Sequence, residues 1–389
     1  MAIATAASFD ELIQSCRDEY EDLSFPGIRR WLDSYPQSGV VAHFQVYFPE
    51  ELVHAAGLLP MAVIGAGSRL EAKLADSHIG SFICSICRSS LELGLSGKVD
   101  FIRGFYTQPI CDVARNLAGI WGRNFPQHNP RILYLPQNLG SRHSAEYLRS
   151  EYCRLVADLE TLTGAKLQVA ALRASIILYN RNRELIRELY RIRRQSPWLL
   201  SATECYLLMA VKATMACQEH NLLLASALSL LGERKRKPQD LLRVVFEGGF
   251  CEQPPLDMLA LIEQACYIVD DDLLLGMRWI TEEVPTAGDP IANLAQAYIE
   301  HSSSCCVQHD GHRPAEQMLW SKVQACQAQA AICAAAKMCE PGLDQQVANQ
   351  HALDAQGLPC LMLEFEERMS GFERMRMEVE TFAESILFD

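Results

Sequence analysis

No apolar run in the sequence approaches about 18 residues, the length a membrane-crossing helix needs, so no transmembrane segment is expected. The opening residues, MAIATAASFDELIQSC, lack a basic region followed by an apolar one, so no secretory signal is expected. An excess of basic charge is also missing. Acidic residues number 48 against 35 basic ones, a net charge of −13. A general nucleic-acid binder needs a basic face to displace counterions, and that class is set aside. Phosphate-cradling motifs are absent as well. No G-x-x-x-x-G-K-[ST] occurs, and GLSGK (94–98) is too short and lacks the hydroxyl residue. GAGSRL (65–70) begins like a dinucleotide fingerprint but carries Leu70 where its third glycine belongs. Low-complexity segments are absent too.

What the sequence has in quantity is cysteine, fifteen residues of it. With no secretory signal, a cytoplasmic location is expected, where thiols stay reduced. The cysteines then read as free thiols or metal ligands, not disulfides. At 389 residues the chain exceeds what one core usually serves, so several domains are expected. Hydrophobic residues at 49% and charged residues at 21% indicate a globular protein with ample core material.

Ser8 with Glu11 three residues on forms a capping box, so residues 1–39 read as a helical N-terminal segment. Residues 40–141 alternate between short apolar runs and helical stretches. Strands are expected at 40–48, 60–67, 99–105 and 131–136, and helices at 49–59, 79–95 and 110–121. Residues 142–240 carry the helical period without a strand signal. Alternation returns over 241–389, with strands at 243–249, 267–274 and 358–366 and a final helix from 370. The run 328–337 is rich in small residues and fits a strand or a helix. The expected fold is therefore α/β. Two open, mostly parallel-sheet α/β domains flank a helical middle segment, behind a helical N-terminus. Their shared rhythm is compatible with an internal duplication, though no shared residue motif stands out.

Cys84 and Cys87 form the one C-x-x-C, in SFICSICRSS. Zinc sites usually take a second such pair or a spaced histidine pair. The nearest histidines, His309 and His312, follow the adjacent Cys305 and Cys306 in CCVQHDGH. A thioredoxin-like pair would open a helix just after a strand, whereas ADSHIGSFICSICRSSLELG reads as continuous helix or a helix start. Taken by spacing alone, two buried thiols are the favoured reading. Cys111 and Cys339 are placed differently. Cys111 follows the expected strand at 99–105 and opens a helix. Cys339 follows the run 328–337, with Pro341 where a helix would begin. Open α/β sheets bind ligands beyond the carboxyl ends of strands. Helix N-termini favour thiolate, and two such turns could converge on an anionic cofactor such as an iron–sulfur cluster.

Five stretches in combination carry a resemblance: PEELVHAAGLLPMAVIGAG, ICSICRSSLELGLSG, CDVARN, KMCEPGLD and LEFEERMSGFERMRMEVETF. Together they resemble the 2-hydroxyacyl-CoA dehydratase / benzoyl-CoA reductase family, from about residue 40 to the C-terminus. The length and C-terminal run are most similar to the smaller cluster-bearing subunit of the reductase branch. The resemblance implies a [4Fe-4S] cluster held by three cysteines of one chain. The matching positions are Cys84 with Ser85 and Arg88, Cys111 with Asp112, and Cys339 with Glu340 and Pro341. Met338 stands where the family usually has an aromatic residue, and Cys87 falls outside the pattern. The implied reaction is ferredoxin-dependent, ATP-driven reduction of benzoyl-CoA to a cyclohexadiene carbonyl-CoA. Implied partners are a homologous cluster-bearing subunit and ATP-hydrolysing subunits in a heterotetramer, with ferredoxin as donor and an aromatic acyl-CoA as substrate. The alternatives are a 2-hydroxyacyl-CoA dehydratase subunit, or an electron-transfer or scaffold subunit without its own substrate site.

Three further features invite a role. The basic runs 181–194 and 233–237 read as solvated or subunit-facing helix surfaces, or as contacts for coenzyme A phosphates. The polar loop 301–314 reads as surface or pocket. The run VDDD (269–272), followed by Arg278, reads as a capped turn or a site-facing strand end.

Overall fold

The computed structural model describes residues 6–44, 48–249, 251–274, 280–303 and 305–388. Two four-stranded parallel sheets organise it. The first takes β1 (Val40–Phe44), β2 (Leu59–Val63), β3 (Ile102–Thr107) and β4 (Pro130–Ile132), in the order β2-β1-β3-β4. The second takes β5 (Leu242–Gly248), β6 (Cys266–Asp271), β7 (Ala330–Ala336) and β8 (Cys360–Phe365), in the order β6-β5-β7-β8. The two orders are the same, so the shared rhythm of the sequence is a shared topology. A residue signal accompanies it. Phe44, Phe48 and Glu50 recur in sequence as Phe246, Phe250 and Glu252, each set running from the first strand of its sheet into the segment after it.

The central strands β1 and β7 are buried along their whole length, as parallel strands covered on both faces must be. The ambiguous run 328–337 is thus a strand. Alanine's preference for helix yields because β7 sits between β5 and β8. Small side chains suit this crowding. A Cβ on Gly248 would lie 1.7 Å from the Ala334 carbonyl oxygen of β7.

The N-terminus is helical as expected. In α1 (Phe9–Glu21), Ser8 Oγ accepts from Glu11 N–H and the Glu11 carboxylate from Ala7 N–H. After α2 (Pro26–Ser34) come α3 (Glu50–Ala55), α4 (Ser85–Leu95) and α5 (Asp112–Asn124). The middle of the chain is α6 (Ser144–Thr163), α7 (Val169–Gln195), α8 (Ala202–Ala210) and α9 (Cys217–Glu233). Then follow α10 (Leu256–Ile262), α11 (Pro290–His301), α12 (Ala315–Cys326), α13 (Glu340–Asp354) and α14 (Glu373–Leu387). Among the described residues no helix is long and apolar enough to cross a membrane.

Helix α7 ties the two sheets together and explains one basic run. Arg183 is ion-paired to Glu51 of α3, while Arg193 and Arg194 pair with Asp271 and Asp270 of β6. Arg183 and Arg193 lie ten residues apart, about 15 Å along the helix axis. Both are buried, so neither is on a solvated face or free for a coenzyme A phosphate. In the run 233–237, Arg234 and Arg236 pair with Glu204 and Asp10, while Lys235, Arg236 and Lys237 are exposed, the solvated surface expected. The VDDD acids hold the strand end internally. Asp272 accepts from Gly248 N–H at 2.9 Å. Arg278 lies outside the described residues, as do 45–47 of the strand expected at 40–48.

Two expected elements are corrected. The helix expected from 79 begins only at Ser85, because Gly80 and Ser81 break the pattern and Cys84 is extended (φ −54°, ψ 144°). The strand expected at 131–136 is only Pro130–Ile132, paired over three residues with β3.

Candidate iron-sulfur site

In each sheet the chain leaves the first strand toward one side and returns to the other. The crevice between those strands' carboxyl ends is the place where open α/β sheets bind ligands. Cys111 follows β3 and Cys339 follows β7 at these two crevices. Each is the N-cap of the next helix, Cys111 of α5 and Cys339 of α13. Cys84 is the N-cap of α4. Three helices therefore present their positive ends together with three thiols.

The thiols sense one another. Burial pushes Cys339 up to about 12, the Gly342 N–H pulls it back, and charge on Cys84 and Cys111 raises it further. Burial also raises Cys111, against a hydrogen bond from Ala114 N–H at 3.4 Å, with charge on Cys84 adding to the rise. Cys87 is held well up, first by its hydrogen bond with Cys84 and then by burial. Its side chain is 2% exposed, whereas Cys84, Cys111 and Cys339 are half-buried.

Neighbouring residues set each thiol's approach. Arg88 donates to the carbonyls of Gly80 and Ser81 and pairs with Asp76, buckling the loop that leads into Cys84. Gly342 leaves room for Cys339, since a Cβ there would lie 3.2 Å from its Sγ. Met338, just before it, is held at φ +64°, in the left-handed region. Asp112 is exposed and pairs with Arg115.

Two carboxyl groups stand behind α4 that sequence reasoning did not single out. Glu252, after β5, accepts from Ser85 Oγ at 2.5 Å, Ile86 N–H at 3.1 Å and Glu367 N–H at 2.8 Å. Burial raises Glu252, and those three hydrogen bonds pull it back. Glu367 is pushed to about 8 by burial and by the charge of Glu252. Isolated glutamates carry no motif. The signal available was the repeated F-x-x-x-F-x-E, which pairs Glu252 with Glu50.

Cys305, Cys306 and Cys339 line one small cavity of about 40 Å³. It shares Cys306, Ala315 and Gln345 with an open cavity of about 1140 Å³, bordered by His309, His312 and the first turn of α13. The 301–314 loop therefore lines a pocket. Among the described residues no three His, Cys, Asp or Glu side chains converge on a single metal ion. This leaves His309 and His312 outside any zinc-type group with Cys305 and Cys306. A cubane differs from a single ion, because each of its thiolates binds a separate iron. Three half-buried thiols at three helix N-termini, with N–H donors beside them, are a donor set that fits such a cluster.

Sequence comparison is consistent with this reading. The family described as 2-hydroxyglutaryl-CoA dehydratase, D-component, matches residues 45–386. One of the subunits of benzoyl-CoA reductase from Thauera aromatica is 37% identical over 97% of this chain and 98% of its own. The beta subunit of lactoyl-CoA dehydratase from Anaerotignum propionicum is 28% identical over 90% and 92%. The (R)-phenyllactyl-CoA dehydratase beta subunit of Clostridium sporogenes is 25% identical over 88% and 90%. By sequence, the chain belongs to the 2-hydroxyglutaryl-CoA dehydratase D-component family, alongside subunits of benzoyl-CoA reductase and of 2-hydroxyacyl-CoA dehydratases.

Proposed function

We propose that this chain is the cluster-bearing subunit of an ATP-dependent benzoyl-CoA reductase, with Cys84, Cys111 and Cys339 holding a [4Fe-4S] cluster. The observation that carries this is the 37% identity to a benzoyl-CoA reductase subunit over almost the whole of both chains. The three clustered thiols support it. When bound, the cluster supplies electrons of very low potential. The ring of the acyl-CoA accepts two electrons and two protons, so two C–H bonds form as one ring π bond is lost and no σ bond breaks. ATP hydrolysis belongs to other subunits, since this chain has no P-loop. The reductase is completed by a homologous partner, and ferredoxin is the donor.

The chain's own residues have definite tasks. The N–H groups at the starts of α5 and α13 stabilise thiolate charge. Because the free thiols are held protonated, loading the site releases protons. The 305–314 loop and the first turn of α13 line the open pocket beside Cys339, where the acyl thioester would lie.

The dehydratase subunits among the relatives favour a second reading, radical dehydration of a 2-hydroxyacyl-CoA. ATP stoichiometry in the assembled complex separates the two. Reduction consumes ATP at every turnover. ATP use confined to activation, with water lost from a 2-hydroxyacyl-CoA, would overturn the reductase reading.

A further inference from the structure

Cys84 differs from Cys111 in one respect. The thiol of Cys111 accepts a hydrogen bond from Ala114 N–H and so caps its own helix. Cys84 makes no such bond to α4. An uncapped helix start leaves N–H groups without partners, which a buried site does not tolerate. The missing cap comes from the other half of the molecule. Glu252 Oε2 accepts from Ile86 N–H, and its Oε1 accepts from the hydroxyl of Ser85. Ser85 and Ile86 are the first two residues of α4. The carboxylate is 1% exposed and is held from behind by Glu367 N–H, which also lies 3.2 Å from Ser85 Oγ. All three of its hydrogen bonds are accepted ones, the pattern of an ionised carboxylate.

Two consequences follow from this arrangement. Relieved of capping, the Cys84 thiolate is free to point at a metal. A negative charge is also fixed at the positive end of α4, cancelling the partial charge that would otherwise favour added electrons nearby.

We propose that Glu252 is a positioning residue that caps α4 in place of Cys84, presents Cys84 to iron, and holds the reduction potential of the site low. This rests on the reading that Cys84 is an iron ligand. Glu252 acts across the two sheets, so it also locks the half carrying Cys84 and Cys111 against the half carrying Cys339.

The test uses the full-length chain, purified and loaded with iron and sulfide under anaerobic conditions. Glu252→Gln keeps the shape and removes the charge. Its midpoint potential is expected to move positive, and its iron to be lost to a chelator roughly tenfold faster. Glu252→Asp retains the charge, and its potential is expected to stay nearer the wild-type value than that of Glu252→Gln. Should Glu252→Gln not fold, Ser85→Ala carries the test. It deletes the hydroxyl that holds the carboxylate, and faster iron loss with an unchanged unfolding midpoint is expected. Wild-type potential and wild-type iron retention in Glu252→Gln, or unchanged retention in Ser85→Ala where that variant decides, would overturn the positioning role alone. A wild-type chain that takes up no cluster would instead overturn the functional reading beneath it.

Discussion

Cys111 and Cys339 hold the same place in two copies of one topology. Each is the N-cap residue of the helix that follows the third strand of its sheet, at the crevice where its chain reverses direction across the sheet. Thiols far apart in sequence can thus meet at one site, because each half delivers its own from an equivalent corner.

The join between halves is tight at Gly65, which sits at φ +77°. A Cβ there would lie 2.1 Å from Glu367 Oε1 and 2.9 Å from Ser89 Oγ. Gly57 has nearly the same φ, +76°, with nothing within 4 Å. Gly57→Ala should therefore cost only the left-handed penalty, about 1–2 kcal/mol. Gly65→Ala should cost clearly more in urea unfolding. Equal losses would contradict the close contact.

Arg193 and Asp271 form an ion pair at 2.5 Å with both side chains almost fully buried. Arg193→Ala strands a buried carboxylate and should destabilise the chain by about 3–5 kcal/mol. Adding Asp271→Asn, which removes the charge and keeps an oxygen for Tyr190 OH and Leu273 N–H, should recover part of that loss. A double variant no more stable than Arg193→Ala would contradict the pairing.

Glu367 gives a pH signature. Its folded pKa of about 8 lies above the ordinary 4.5. Between those values the folded state keeps a proton that the unfolded chain has released, so stability falls as pH rises through this window. Glu367→Gln removes the titration. Wild type should lose more stability than the variant between about pH 5 and pH 8. Parallel pH profiles in chemical unfolding would contradict the assignment.

Met338 holds a left-handed conformation that a side chain adopts at a cost of about 1–2 kcal/mol. Glycine relieves it but loses more entropy on folding. Met338→Gly should therefore raise stability by up to about 1 kcal/mol, read from the urea midpoint. A clear loss of stability would show that the Met338 side chain is needed where it stands.

Much of this arrangement was legible in sequence. Strand and helix rhythms gave both parallel sheets, and the turns after β3 and β7 placed Cys111 and Cys339 at helix starts. Other features were hidden. Ile79, Phe82, Ile83 and Ile86 recur at near-helical spacing, which masked the break before Ser85. The basic run in α7 is a solvated face at Arg181 and Arg191, as read, but the burial of Arg183 and Arg193 was hidden because the acidic partners of Arg183, Arg193 and Arg194, which are Glu51, Asp271 and Asp270, lie far away in sequence. Glu367 was invisible for the same reason, and for Glu252 the repeated F-x-x-x-F-x-E was the one signal, silent on which helix start it reaches.

In the proposed site, Cys84, Cys111 and Cys339 hold one cluster while Cys87, three residues from Cys84, only packs beside it. Iron and sulfide analysis with electron paramagnetic resonance tests it most directly. The samples are anaerobically purified wild type and the single variants Cys84→Ser, Cys87→Ser, Cys111→Ser and Cys339→Ser. The expected result is loss of the cluster in the variants at 84, 111 and 339, and its retention in Cys87→Ser. Full cluster content in Cys84→Ser, Cys111→Ser or Cys339→Ser would contradict the claim.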